Sequence, residues 1–272
     1  MKDKIYWHDA HHEALQLELY EYADALEFKK EHALSKEALR MDSLVIKKVK
    51  DVKILKNIGK IFKNHNIVEY KSENDNFTFW DYQKVLGYAF IYSSFEKVQM
   101  SEITISISLT IYPRELAKFL ENERGFKVEN LGNGIYYIEG DIFPIQILES
   151  KNLPEDENLF LRNLRSNLTN EDMLKTLQFY SEHRPSEDKN VYLDRLIKAN
   201  FSAYKEAMKM SEAVKEVFIE TAKENGWLND WLNDYGDTVA RKIAKKLLLS
   251  GKSIEEVVEY TELPIETVES LI

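Results

Sequence analysis

Apolar and polar residues alternate most regularly at residues 103–111, where the sequence reads ITISISLTI. Every second side chain in this stretch is isoleucine or leucine, and serine or threonine lies between them. Successive side chains of a strand point to opposite faces, so the alternation predicts a β-strand with one apolar face. Shorter β-rich runs predict further strands at residues 25–34, 39–48, 66–71, 134–140 and 143–150.

Helical spacing of apolar residues separates these strands. Residues 8–24 and 78–95 each predict a helix, and a third is expected to begin at Pro113 and end at Gly125. After residue 154 the pattern is almost entirely helical. The predicted helices there lie at residues 155–182, 187–211 and 212–226, followed over 238–272 by three short helices divided at Gly251 and near Leu263-Pro264.

The chain is therefore expected to have two parts, an α/β domain over residues 1–153 and an α-helical region over residues 154–272. Its last segment, residues 250–272, looks like a helix–turn–helix, but residues 251–272 carry six glutamates against the single Lys252. A helix that reads DNA bases needs Arg, Lys, Asn or Gln side chains. We therefore expect this tail to pack internally or to contact a partner.

The composition excludes several classes of protein. The 272 residues include no cysteine, which rules out thiol catalysis, Cys-ligated zinc and disulfides. A hydrophobic content of 44% with only nine glycines and five prolines is unlike a disordered or collagen-like chain. The sequence shows neither an apolar segment typical of a signal peptide nor 18 consecutive apolar residues, so we expect a soluble cytoplasmic protein without a membrane span.

The net charge of −10 disfavours a protein covered in positive charge for binding nucleic acid. One segment departs from this balance, because residues 47–63 contain seven lysines against the single Asp51. The segment joins two predicted strands and is expected to lie near any site those strands form. It would then be either a loop that holds backbone phosphates or a solubilising hairpin, and the sequence leaves both interpretations open.

The strongest candidate for chemistry is Asp42 followed, after 26 intervening residues, by Glu69-Tyr70-Lys71. On a strand Glu69 and Lys71 share a face and Tyr70 points away. If the two strands pair as a hairpin, Asp42 and Glu69 converge at one end of a sheet. Two such carboxylates suit a hard cation, Mg²⁺ or Mn²⁺, and the nearby lysine can orient a water or stabilise phosphate charge.

Four segments resemble the PD-(D/E)XK nuclease superfamily, and in particular its bacterial branch of recombination-promoting nucleases and putative transposases. They are residues 40–48, 57–72, 80–89 and, more loosely, 250–260. The resemblance implies a restriction-endonuclease-like core of a helix, three strands, a helix and a strand, which agrees with the order predicted above. It implies that Asp42 is the first acidic ligand, with Met41 in place of the family's proline, that Glu69 is the second and that Lys71 is the catalytic lysine.

The resemblance also implies roles for residues on the two helices. Gln83 and Tyr88 fall on the second helix, where similar proteins often carry a glutamine and an aromatic residue near the site, so Gln83 joins the predicted catalytic set. A glutamate of the first helix sometimes completes the metal shell in this superfamily. Glu13 and Glu18 are both available for this role, and the sequence does not distinguish them.

The sequence thus predicts a Mg²⁺-dependent DNA endonuclease connected with recombination or mobile elements. A symmetric dimer would let two sites act on the two strands of a duplex. The alternative is a catalytically inactive interaction protein that retains the nuclease fold, which the acidic surface and the large helical region favour. A zinc site at His8 and His12, four residues apart at the start of the first helix, is a weaker alternative because no third ligand follows at a suitable spacing.

Overall fold

The computed structural model describes residues 7–29, 44–72, 75–182, 191–210, 240–241, 243–249, 251–261 and 263–271. The chain divides into two compact units, Met1–Val217 and Phe218–Ile272. The first unit contains a mixed β-sheet with helices on both of its faces, and the described part of the second is helical. The protein is therefore an α/β protein with additional helices toward its C-terminus.

The sheet has seven strands in the spatial order β1-β2-β3-β4-β7-β6-β5. Strands β3, β4 and β7 are parallel neighbours, and every other pair is antiparallel. The carboxyl ends of the three parallel strands consequently meet at one edge of the sheet. The strands are β1 (Leu26–Lys29), β2 (Leu44–Lys48), β3 (His65–Lys71), β4 (Ile103–Leu109), β5 (Lys127–Gly132), β6 (Ile135–Glu139) and β7 (Ile145–Glu149).

Seven α-helices are described in the first unit, and none of the helices in the described parts of the chain is long and apolar enough to cross a membrane. Apart from three short 3-10 helices, the elements up to β4 follow the predicted order of helix, three strands, helix and strand. The helices are α1 (His8–Glu18), α2 (Phe79–Glu96), α3 (Arg114–Arg124), α4 (Glu155–Arg162), α5 (Asn170–Glu182), α6 (Val191–Ala199) and α7 (Phe201–Met210).

The alternation in β4 determines which face of the sheet α2 covers. The odd-numbered isoleucines and Leu109 of β4 are buried in one core with Val85, Ala89 and Tyr92 of α2. The serines and threonine between them are also buried, because the opposite face is covered as well. On that face Ser106 accepts a hydrogen bond of 2.7 Å from the Gln146 side chain. The same side chain also donates to the carbonyl of Ile58, in the segment before β3.

Helix α1 covers this second face, and α4 and α6 pack on α1 from outside. The sheet and helices α4 to α7 therefore belong to the same compact unit, Met1–Val217. The division predicted at 153/154 coincides with the change from strands to helices, since β7 ends at Glu149 and α4 begins at Glu155. It does not coincide with the division between the compact units.

Three elements differ from the pattern expected from the sequence. Strand β5 was not predicted, because it lies at the edge of the sheet, is mostly exposed and lacks an apolar alternation. The helix expected over 155–182 is two helices, and the connection between them includes Asn167 with a φ of 59°. The helix expected over 187–211 is likewise two helices, α6 and α7, in its described part. The predictions for 212–226 and for residues 30–43 fall outside the described residues.

The predicted breaks in the C-terminal tail are confirmed. Residues 240–241 and 243–249 are helical, followed by α8 (Ile254–Thr261) and α9 (Ile265–Glu269). Val257 of α8, Val268 of α9 and Leu263 between them are buried in a small core. The apolar side chains of this tail thus hold its own helices together.

The geometry of the turn between β5 and β6 indicates that substitution of one of its glycines lowers stability strongly. Gly132, Asn133 and Gly134 all have positive φ, and a Cβ on Gly134 would lie 2.6 Å from the carbonyl oxygen of Glu149. We expect Gly134→Ala to lower the free energy of unfolding by at least about 2 kcal/mol, measured by urea denaturation. Gly132→Ala is the control, because its Cβ meets open space and only the left-handed strain remains. Equal losses for both variants would contradict the close approach.

Candidate functional site

Strand β3 places Glu69 and Lys71 on one face of the sheet. Their partners on β4 are Ile107 and Leu109, both of which belong to the core beneath α2. Tyr70 points to the opposite face, where its ring stacks on His11 of α1 with 4.2 Å between ring centroids. Glu69 and Lys71 therefore lie together at the carboxyl end of β3, on the α2 side.

The two side chains differ in their surroundings. Glu69 is only 3% exposed, whereas Lys71 is half-buried and its ammonium lies 3.0 Å from Oδ1 of Asp81. Asp81 is in the first turn of α2 and forms a capping box with Thr78. Partial burial favours the protonated form of Asp81, but hydrogen bonds from Thr78 and the Lys71 ammonium outweigh it and lower the pKa of this carboxyl. Asp81 is thus a stable anion that holds Lys71.

Asp42 lies outside the described residues. The described part of β2 begins at Leu44, which pairs with Val68, the residue before Glu69. Two residues of chain span at most about 7 Å, so connectivity alone limits how far Asp42 can be from this end of β2. The convergence of Asp42 with Glu69 remains a prediction.

The predicted residues of α2 face different directions. Gln83 is exposed and lies two residues after Asp81, which is about 200° around the helix axis. Tyr88 is half-buried, packs against the core under α2 and has the Lys84 ammonium 5.3 Å from its ring centroid. The structure therefore brings Asp81, and not Gln83, to Lys71.

Both glutamates of α1 bind groups of the outer helices, on the opposite side of the sheet from Glu69. Glu18 accepts hydrogen bonds of 2.7 and 3.1 Å from the backbone N–H groups of Phe160 and Leu161, and its other oxygen lies 3.0 Å from the Lys56 ammonium. Burial raises the pKa of Glu18, although Lys56 and the two backbone donors act to lower it. Glu18 is thus a structural link between α1 and α4.

Glu13 forms a second link of this kind. It is fully buried and accepts hydrogen bonds from the Tyr180 hydroxyl and from the backbone N–H of Tyr192, at the start of α6. Of the two alternatives for a first-helix ligand, the structure brings neither to Glu69.

The expectation that the lysine-rich segment lies near the site is wrong. The segment leaves the sheet after β2 and returns at His65, the first residue of β3, whereas Glu69 and Lys71 are at the other end of that strand. Lys71 lies six positions along the strand from His65, a distance of about 20 Å. Several of the lysines instead pair with protein groups: Lys47 with Glu96, Lys56 with Glu18, and Lys63 with the carbonyl of Ser101.

The histidines at the start of α1 differ in exposure: His8 is exposed, whereas the other two are part of the packing. His11 and His12 are buried, and among the described residues no three His, Asp or Glu side chains are grouped so that they could hold a metal ion. Burial, followed by the charges of His12 and His8, lowers the pKa of His11 well below its usual value. The folded protein therefore keeps the His11 ring neutral.

This buried ring predicts a pH dependence of stability. The unfolded chain protonates His11 near pH 6.5, but the folded protein does not, so the unfolded state binds more protons and stability falls as the pH drops below that value. His11→Phe keeps a ring against Tyr70 but has no group to protonate. Between pH 6 and pH 5 we expect its free energy of unfolding to fall by about 1.4 kcal/mol less than that of the wild type. Urea denaturation across this range measures the difference, and parallel pH profiles would contradict the prediction.

A cavity of about 800 Å³ opens at the carboxyl ends of β3, β4 and β7, next to Lys71. It is lined by Ser72, by Thr110 and Tyr112 after β4, and by Glu149 at the end of β7. Glu149 is 6% exposed and accepts a hydrogen bond of 3.2 Å from the hydroxyl of Tyr136. Sequence reasoning missed this carboxylate, although an acidic residue that ends an apolar strand is a recognisable signal.

The aromatic rings beside Glu149 share its environment. The ring centroids of Tyr112 and Tyr136 are 4.2 Å apart. Burial, together with Tyr136, Glu121 and Glu149, raises the pKa of Tyr112 to about 12, so its hydroxyl remains protonated at neutral pH. The cavity thus combines a buried carboxylate, the neutral phenol of Tyr112 and aromatic side chains with the charged residues Arg114, Glu115 and Lys151.

Comparison of the chain with protein-family models, with curated proteins and with solved structures gives no match.

Proposed function

We propose that the protein is a Mg²⁺-dependent nuclease with a restriction-endonuclease-like core, in which Asp42, Glu69 and Lys71 carry the hydrolysis of phosphodiester bonds in DNA. The observation that supports this best is the position of Glu69 and Lys71 on one face at the carboxyl end of β3. The order α1-β1-β2-β3-α2-β4 is the second support. A role in recombination or in mobile elements belongs to the same proposal and rests on the sequence resemblance.

The donor set fits the proposed cation. Carboxylate oxygens are the ligands that Mg²⁺ and Mn²⁺ take in proteins, and Glu69 is a buried carboxylate at the end of β3. Asp42 would supply the second carboxylate. When bound, the cation would polarise the phosphate and neutralise charge that develops on it.

Lys71 would act on the attacking water or on a phosphate oxygen. Its ammonium is a compact charge with three N–H donors, and the ion pair with Asp81 requires only one of these donors. The remaining donors can face a substrate at the carboxyl edge of the sheet. Asp81 would then be a positioning residue that fixes the direction of the Lys71 side chain, a task that the sequence resemblance assigned to no residue.

Cleavage of supercoiled plasmid tests the proposal. We expect the wild type to cut DNA only when Mg²⁺ or Mn²⁺ is present, and Asp42→Ala and Lys71→Ala each to reduce the rate by at least about 100-fold. Lys175→Ala is the matched control, since Lys175 also forms an ion pair, with Glu155, but lies on α5. Its rate should equal that of the wild type.

Two results would overturn the proposal. Cutting that survives both substitutions would mean that another site, or a contaminant, is responsible. No cutting by the wild type, together with no binding of Mg²⁺ by calorimetry, would favour the non-catalytic interaction protein.

A further inference from the structure

We propose that the cavity at the carboxyl ends of β3, β4 and β7 binds one nucleobase of the substrate strand, and that Glu149 selects a base with an exocyclic amino group. The inference rests on the proposed function, which it deepens by naming the form of DNA that the site accepts. The cavity's volume of about 800 Å³ is in the range of small-ligand sites and exceeds what one base needs.

Glu149 provides the polar contact. Its Oε2 accepts a hydrogen bond from Tyr136, whereas Oε1 is 3.9 Å from the Lys151 ammonium, which is longer than a hydrogen bond. A buried carboxylate oxygen is stabilised by a hydrogen bond, and a ligand with an N–H donor can supply one to Oε1. The amino groups of cytosine, adenine and guanine are such donors, while thymine and uracil present a carbonyl oxygen at the corresponding position.

Aromatic rings supply the apolar contacts. Phe79 at the start of α2 lies against Phe119 of α3, with 4.3 Å between ring centroids, and both line the cavity together with Tyr112. Stacking on such rings accepts any base. The rings would therefore contribute affinity, and Glu149 would contribute the discrimination between bases.

The register of the sheet relates this cavity to the catalytic lysine. Lys71 pairs with Leu109, and Leu109 pairs with Glu149, so the three residues form one row across β3, β4 and β7. Neighbouring strands are about 4.8 Å apart, which places Glu149 roughly 10 Å from Lys71 on the same face. A phosphate at Lys71 and a base at Glu149 can then belong to one nucleotide or to two consecutive nucleotides.

A base can enter this cavity only when it is unpaired. The proposed substrate is therefore a single strand, or a duplex from which one nucleotide has turned out of the stack. This would explain how an acidic protein accepts DNA, since stacking and one selective hydrogen bond require less positive charge than wrapping a duplex.

Fluorescence anisotropy with labelled deoxyoligonucleotides tests the base contact. Octamers of deoxycytidine and deoxyuridine differ mainly in the amino or carbonyl group that Glu149 would meet, and Ca²⁺ replaces Mg²⁺ so that the strands stay intact. We expect the wild type to bind the cytidine octamer about tenfold more tightly. Glu149→Gln keeps the shape and the acceptor for Tyr136 but adds an amide donor, so the preference should fall below about twofold.

Glu115→Gln is the matched control, because it makes the same change of charge at the exposed mouth of the cavity. It should keep the tenfold preference. Equal affinity of the wild type for both octamers, or an unchanged preference in Glu149→Gln, would overturn the base contact.

Failure of this inference is separable from failure of the proposed function. Metal-dependent plasmid cutting without any base preference would refute the cavity as a base site and leave the nuclease standing. A base preference that depends on Glu149, in a protein that does not cut DNA, would support the cavity and refute the catalysis. A protein that neither cuts nor binds the octamers would refute both.

Discussion

Glu69→Gln is expected to abolish Mg²⁺ binding at the site and to lower the rate of plasmid cleavage by at least about 100-fold. The substitution keeps the shape of a buried side chain but removes its charge, and a neutral amide is a poor ligand for a hard cation. Isothermal calorimetry measures the binding, and gel analysis of plasmid cutting measures the rate.

Glu149→Gln controls for the loss of a buried carboxylate at the same edge of the sheet. Glu149 is buried to a similar degree but ends β7 rather than β3. The Glu149→Gln variant should bind Mg²⁺ with the affinity of the wild type. If Glu69→Gln retained both cation affinity and cleavage, Glu69 would have no part in a metal site, and the proposed chemistry would be wrong.

Glu18→Ala is expected to cost about 3–5 kcal/mol of unfolding free energy. The substitution leaves the Lys56 ammonium without its buried partner and removes the acceptor for two backbone N–H groups of α4. Because these contacts join α1 to α4, the loss should appear in the main transition of a urea denaturation curve.

Two variants locate the cause of this loss. Glu18→Gln keeps an acceptor for Phe160 and Leu161 and should cost less than Glu18→Ala. Glu157→Ala removes an exposed acid from α4 and should change stability by less than about 0.5 kcal/mol. A loss below about 1 kcal/mol for Glu18→Ala would show that Glu18 does not link the two helices.

The regular elements were predictable where the sequence carries a local signal. The alternation at 103–111 gave β4, and Thr78 with Asp81 begins α2 through a capping box close to the predicted start. β5 was not predictable from such a pattern, because an exposed edge strand needs no apolar face and is held by pairing with β6.

The contacts of the site were less predictable than its strands. Sequence spacing correctly put Glu69 and Lys71 on one face, since this follows from the pleat alone. Asp81 and Glu149 reach the site through the docking of α2 and the parallel pairing of β7, and neither depends on residues near Glu69 in sequence. The lysine-rich segment was misplaced although chain order alone decides its position: it joins the last residues of β2 to the first residue of β3, whereas Glu69 and Lys71 are at the other end of β3.

A crystal of the protein soaked in Mn²⁺, with anomalous scattering recorded, tests the central claim most directly. We predict an ion peak about 2.1 Å from carboxylate oxygens of both Asp42 and Glu69, with the Lys71 ammonium nearby. An ordered Asp42 whose carboxylate is too far from Glu69 to share an ion, with no peak at Glu69, would contradict the claim.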